Sequence, residues 1–459
     1  MMILNPSRWK NAAVVTDVMF TINGNLIADG WGFTNSGATL VWTIDDGGVI
    51  TQLTQNSTPA YTLVNATASV IVSSADNFAF VTQITLRNQN ILNELDFRVL
   101  TEVEGQIQVD GNSSLTSLKT PVNNNLITLI RAYGCNLTGI VNLSSLSTMV
   151  SGIELYNNAN LSGLVLNSNT SALSFSLYSC GLSGILDISN IAGIQGVLAV
   201  NNNASLTGLA LPSSSAIVTS IQAYLCNLTG TLDLSMLTHG LSGSMRFYSN
   251  SNLTNITFAP NTFLISQLWG YLCNLTGTLD LSMLTGGFTS VTLRSNPNLT
   301  QILFPTTSAL VNQLDIYSCN LTGTLDLSGL TGLGGSPHRY YLNPNLTNII
   351  FPSTTRTFGS LQVYSCNLGY IDLSVMPNML KINAGVYTFQ NNAMTAAEVN
   401  HILYDLSILA LTETAGGDFT GRSINISGTN AAPDSSSGGF NGTQAVIDLQ
   451  AQGVTVTTS

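Results

Sequence analysis

The sequence predicts a mainly β fold: a solenoid of about twelve coils of ~23 residues, preceded by a small β-sandwich and closed by an α+β C-terminal cap. Three observations predict it. All six cysteines (Cys135, Cys180, Cys226, Cys273, Cys319 and Cys366) recur at spacings of 45, 46, 47, 46 and 47 residues. Midway between them runs a second series, Asn112, Asn158, Asn203, Asn250, Asn296 and Asn343, with spacings of 46, 45, 47, 46 and 47. The residues before each marker alternate apolar and polar, the period of a half-buried strand.

Each coil can be read residue by residue. In Leu314-Asp-Ile-Tyr-Ser-Cys319 the alternation turns Leu314 and Ile316 inward and Asp315 and Tyr317 outward. Val291-Thr-Leu-Arg-Ser-Asn296 follows the same rule. After the marker, a segment such as Leu228-Thr-Gly-Thr-Leu-Asp-Leu234 lacks room for a long helix, so short strands and turns are expected on the convex side. Stacked rungs lie ~4.8 Å apart, which puts cysteines two coils apart at ~9–10 Å. A disulfide needs Cα atoms within about 7 Å. The ladder is therefore expected to hold free, buried thiols and no metal. The repeated Asn-Leu-Thr and Asn-Leu-Ser triplets match the glycosylation sequon. They recur because the coil recurs, and the structural reading is preferred.

The pattern Leu-x-Leu-x-x-(Asn or Cys)-x-(x)-Leu resembles the leucine-rich-repeat family over residues 105–390. The resemblance implies that the twelve markers point inward and cap the turn through side-chain hydrogen bonds to neighbouring backbone.

The ends differ from the repeat, as a solenoid needs caps. Residues 84–104 are read as the N-terminal cap of a solenoid spanning 84–390. Residues 14–83 read as an all-β domain with Asn-Gly and Asp-Asp-Gly-Gly turn signals. Their Trp42-Thr-Ile-Asp-Asp-Gly47 stretch is similar to the motif of PKD-like β-sandwiches. Residues 391–459 form the α/β cap. Thr395 and Glu398 set a capping box. Val399, Ile402, Leu403 and Leu406 make a helical stripe, and a strand at 423–427, a helix near 442–451 and a last strand follow. This tail resembles the segment that closes leucine-rich proteins of Bacteroidetes bacteria and their phages. Residues 1–13 read as a docking arm. Within it Leu4, Asn5, Pro6, Arg8 and Trp9 belong to a stretch that resembles the leader of tailed-phage virion proteins.

Composition excludes several classes. Only 8% of residues are charged, against roughly 25% in ordinary soluble domains. The net charge of −11 argues against a nucleic-acid backbone as partner. Mean hydropathy is +0.29, yet no run of 18 apolar residues predicts a membrane span. The opening segment, broken by Pro6, Arg8 and Lys10, does not read as a secretory signal. His239 and His338 are assigned to convex turns and His401 to the cap helix, none at metal-ligand spacing. No nucleophile elbow, phosphate loop or HExxH occurs. The outward acids Asp110, Glu154 and Asp315 are several coils apart, which argues against a glycosidase pair. No enzyme activity and no cofactor are expected.

The outward face carries aromatics. The position two before each marker reads Asp110, Tyr133, Tyr156, Tyr178, Asn201, Tyr224, Tyr248, Tyr271, Arg294, Tyr317, Tyr341 and Tyr364. A second column holds Arg246, Trp269 and Arg339. Such a column either packs ring on ring or presents a recognition strip. The candidate strip is Tyr224, Arg246, Tyr248, Trp269, Tyr271, Arg294, Tyr317, Arg339 and Tyr341. The family resemblances imply a structural and interaction protein of a phage virion, a fibre or appendage component. Its partners would be other virion proteins and a host-surface glycan or protein; an oligomer is compatible with this. A bacterial surface adhesin and a capsid decoration protein are the alternatives.

Overall fold

A computed structural model describes residues 17–25, 27, 29–30, 32–33, 40–55, 57–74, 81–100, 103, 105–122, 127–146, 151–213, 218–237, 241–259, 265–284, 286–306, 310–335, 337–353, 359–381, 385–412 and 419–459. The docking arm and His239 lie outside them. The chain divides into two compact units, Met1–Gln195 and Gly196–Ser459.

In the first unit, one sheet runs in the order Val49–Thr54, Leu40–Asp46, Ala68–Ser74, Val18–Ile22, Ile91–Asp96 and Leu115–Lys119. Its first four strands are antiparallel. Alternation buries Val18, Ile22, Trp42, Ile44, Val70 and Val72 on one face. Asp46 is buried too, and its carboxylate accepts from Val64 N at 2.6 Å and Asn65 N at 2.9 Å. These bonds, that from Val64 foremost, hold its pKa below the usual carboxylate value.

A second sheet is parallel and carries the repeat. Val81–Thr85, Gly105–Gln108, Ile127–Arg131, Gly152–Glu154 and Ser171–Ser176 pair in sequence, one rung after another. Ile84, Ile107, Ile130, Ile153 and Phe175 stack in one inward row, all fully buried. Gln89 stands where a marker is due, and its backbone N–H donates to Asn112 Oδ1 at 2.8 Å.

The second unit carries a parallel repeat sheet of its own. Leu198, Ile221, Met245, Leu268, Val291 and Leu314 form the inward row. On the convex side the strands pair two by two, such as Thr276–Asp280 with Asn298–Leu303. Each unit is thus mainly β and carries a parallel solenoid sheet with the leucine-rich-repeat pattern, the Asn and Cys markers falling on its rungs from Asn112 to Cys366.

The marker ladder explains why two residue types alternate. Asn296 is fully buried. Its Nδ2 donates to Gly270 O at 2.9 Å and Leu293 O at 2.7 Å. Its Oδ1 accepts from Leu275 N at 3.1 Å. The next marker, Cys319, donates its Sγ–H to the same Leu293 carbonyl at 3.3 Å. The arrangement recurs. Phe247 O takes both Asn250 and Cys273, and Tyr340 O takes both Asn343 and Cys366. In the first unit Val109 O serves Asn112 and Cys135. One carbonyl with two lone pairs thus serves two consecutive markers. All six thiols are free. Burial pushes them up, Cys135 to about 12 and the others to about 11.

The sequon asparagines of adjacent rungs bond to each other. Asn298 donates to Asn274 at 2.7 Å, and Asn345 to Asn320 at 2.8 Å.

One expectation is corrected. His338 does not lie in a convex turn. The strand 310–315 pairs first with Gly332–Leu333 and then, past a bulge, with His338–Arg339. The alternation resumes at His338, which turns inward between Leu314 and Leu361 and is fully buried. Its Nε2 lies 3.2 Å from Gly334 O across the bulge. Burial pushes its pKa down to about 4.

The second unit ends in two helices and two more parallel strands. In α1 (Ala396–Thr412) the box forms: Thr395 N donates to Glu398 Oε2 at 2.8 Å. Val399, Ile402, Leu403 and Leu406 are fully buried. In α2 (Gly442–Ala451) Asn441 caps the N-terminus by accepting from Gln444 N at 2.9 Å. Ser423–Asn425 and Thr455–Thr457 extend the parallel sheet.

Candidate functional site

The outward columns of the parallel sheet are set by period-2 alternation, and the ~4.8 Å rung spacing lets each side chain touch its counterpart on the next rung. In the first unit, Tyr133, Tyr156 and Tyr178 stack at 4.4 and 4.5 Å between ring centroids. Arg87 Nε bonds Asp110 at 3.0 Å. Arg131 grips Glu154 with two bonds, 2.7 and 3.1 Å. Both outward acids of this unit are thus held by an arginine of the preceding rung.

In the second unit, past Asn201, the column runs through seven consecutive tyrosine or arginine members. Tyr224, Tyr248 and Tyr271 stack at 4.5 Å per step. The Arg294 guanidinium lies 4.4 Å over the Tyr271 ring and 5.7 Å from that of Tyr317. Tyr317, Tyr341 and Tyr364 complete the stack at 4.4 Å per step. Each stacked pair contributes about 0.5–1.5 kcal/mol beyond area burial. Burial first, and the neighbouring phenols second, raise the pKa values of Tyr156 and Tyr341.

The second column lies beside the first. The Arg246 guanidinium sits 4.5 Å over the Trp269 ring and donates to Gln267 Oε1 at 2.8 Å. Trp269 Nε1 donates to Ser290 at 3.3 Å. Arg339 bonds Asp315 at 3.1 and 3.3 Å, and Gln313 donates to the same carboxylate. Tyr224, Arg246, Tyr248, Trp269, Tyr271 and Arg294 thus form one continuous, half-buried patch, with Tyr317, Arg339 and Tyr341 following on the next rungs. The candidates Leu4, Asn5, Pro6, Arg8 and Trp9 lie outside the described residues.

Two features of this face were not singled out from sequence. The first is the pairing of Arg131 with Glu154, which the sequence marked only as a lone outward acid; both occupy the second outward column on adjacent rungs, and tabulating the position four before every marker reveals the pair. The residue just before each marker adopts positive φ. Asn202, Ser249, Ser295, Ser318 and Ser365 fit that conformation as small polar residues. Leu225, Leu272 and Leu342, with φ of 53°, 54° and 58°, do not. They are also 48%, 48% and 46% exposed.

Among the described residues no group of three His, Cys, Asp or Glu side chains is placed to hold a metal ion. None of their helices is long and apolar enough to cross a membrane. In the cap, His401 is sandwiched between Tyr370 at 3.7 Å and Phe440 at 3.9 Å. Tyr370 Oη donates to Asp405 at 2.8 Å.

No protein-family model matches the chain, and no curated protein matches it. A solved structure similar to it is YopM from Yersinia enterocolitica WA-314, at 14% sequence identity and a TM-score of 0.31, covering 77% of this chain and 84% of that one. The fold assignment rests on the strand register and the marker ladder.

Proposed function

We propose that this chain is a non-enzymatic structural and interaction protein that uses the outward sheet face of its second unit as a recognition strip. The observation that carries the reading is the continuous run of Tyr224, Tyr248, Tyr271, Arg294, Tyr317 and Tyr341, with Arg246 over Trp269 beside it. Tyrosine, tryptophan and arginine offer large contact area at low entropic cost and dominate binding hot spots. Stacking fixes the rings in advance, so little freedom is lost on binding.

The resemblance of the N-terminal leader and the C-terminal segment supports placing it in a tailed-phage virion. There the N-terminal region would attach and the repeat would face other virion proteins or a host-surface glycan or protein. The test is adsorption of the purified chain to host cells and to a glycan array, compared with the double variant Trp269→Ser and Tyr271→Ser. Binding lost with an unchanged melting temperature supports the strip; unchanged binding rejects it. Mass spectrometry of purified virions tests the location.

A further inference from the structure

The three leucines beside the tyrosine column break two rules at once. Their left-handed backbone suits Gly or Asn, and a branched aliphatic side chain is disfavoured there. Each is also about half exposed, so burial in the free chain does not account for it. Two cations of the same face also stand without an anion, although Arg339 beside them is held by Asp315. Among the described residues, neither Arg246 nor Arg294 has a carboxylate partner. Arg246 Nε is buried without a hydrogen bond, and Arg294 rests on aromatic rings alone. In the first unit, by contrast, Arg87 and Arg131 are both neutralised. The two features interleave. Leu225, Arg246, Leu272 and Arg294 occupy four consecutive rungs. Leu225 N bonds Tyr248 O on the Arg246 rung, and Leu272 N bonds Arg294 O.

Building on the recognition-strip reading, we propose that the partner is an acidic polypeptide, which sets carboxylates on Arg246 and Arg294 and aliphatic side chains on Leu225 and Leu272. Charge complementarity selects the acid: these arginines form a cationic strip on a chain of net charge −11. At physiological salt, charges farther than about 8 Å are screened, so the local cations decide. The leucines select polypeptide over glycan, because a sugar offers no aliphatic side chain to cover them.

The experiment measures binding by fluorescence anisotropy with a short peptide of Glu-Leu-Ser repeats, its Lys-Leu-Ser counterpart and polygalacturonate. The Glu-Leu-Ser peptide is expected to bind at least tenfold more tightly than the lysine peptide. The double variant Arg246→Gln and Arg294→Gln should lose that preference. The double variant Leu225→Asn and Leu272→Asn should weaken binding several-fold while its melting temperature holds or rises, a pairing that a purely structural role would not give. Equal binding of both peptides, or undiminished binding by the leucine variant, overturns the proposal. So does binding of polygalacturonate in place of the peptide, which assigns the arginines to an acidic glycan. Cell adsorption that depends on Trp269 and Tyr271, with no preference for the acidic peptide, overturns the acidic-polypeptide assignment and leaves the recognition strip standing.

Discussion

Replacing Asn296 with alanine tests the marker ladder directly. The side chain is fully buried and makes three hydrogen bonds: to Gly270 O, to Leu293 O and from Leu275 N. Leu293 O keeps the Cys319 thiol as donor. The truncation therefore orphans two buried backbone groups, Gly270 O and Leu275 N–H, and opens a small void. At about 1–3 kcal/mol per unsatisfied group, the loss is about 2–6 kcal/mol. Asn296→Asp keeps the volume but points an anion at two carbonyls. It should be destabilised at pH 7 and partly restored at pH 4, where a protonated carboxyl can donate. Urea denaturation followed by circular dichroism measures the loss. Hydrogen exchange should locate it in rungs 270–300, because a solenoid can open locally. A loss under about 1 kcal/mol for the alanine variant, or the same loss at both pH values for the aspartate variant, would refute the ladder as a main source of stability.

Other outcomes follow from the same geometry. The six thiols should resist iodoacetamide at pH 8 in the native chain and all react in urea. Their raised pKa values also give stability that is present below pH 9 and lost as pH rises toward about 11, roughly 1.4 kcal/mol per thiol at pH 10, read as an alkaline fall in melting temperature. His338, neutral when folded and pushed down to about 4, costs stability as pH falls below 6.5, roughly 2–3 kcal/mol at pH 4.5; His338→Leu should abolish that acid sensitivity in pH-dependent melts. The Tyr340 hydroxyl is buried without a partner, so Tyr340→Phe should stabilise by about 1 kcal/mol in urea titrations.

Much of this molecule is legible because it repeats. Strand alternation before each marker placed Leu314 and Ile316 inward and Tyr317 outward from a few residues, and six copies of the motif averaged away local noise. The thiol separation followed from rung spacing alone. What escaped the sequence is whatever depends on the exception to the period. His338 lies in the core and not in a turn because its strand carries two more residues than its partner between the Leu333–Val311 and His338–Leu314 pairings, which shifts where the alternation restarts. The Arg131–Glu154 and Arg339–Asp315 pairs need the register between rungs, which the marker spacing gives only once a column is written out in full. Positive φ at Leu225 and Leu272 is hidden, because leucine is a poor signal for that conformation.

The carbonyl shared between successive markers gives the repeat a grammar of two. Length can change cleanly only by a doublet of coils, about 46 residues, which restores the order of donors. Excising a single coil would bring two thiols onto neighbouring rungs, ~4.8 Å apart and inside the 4.4–6.8 Å window for a disulfide. A molecule built to keep its sulphurs inert would then carry a bond sensitive to its redox surroundings, so the alternation also guards the chain against oxidative cross-linking along its own axis.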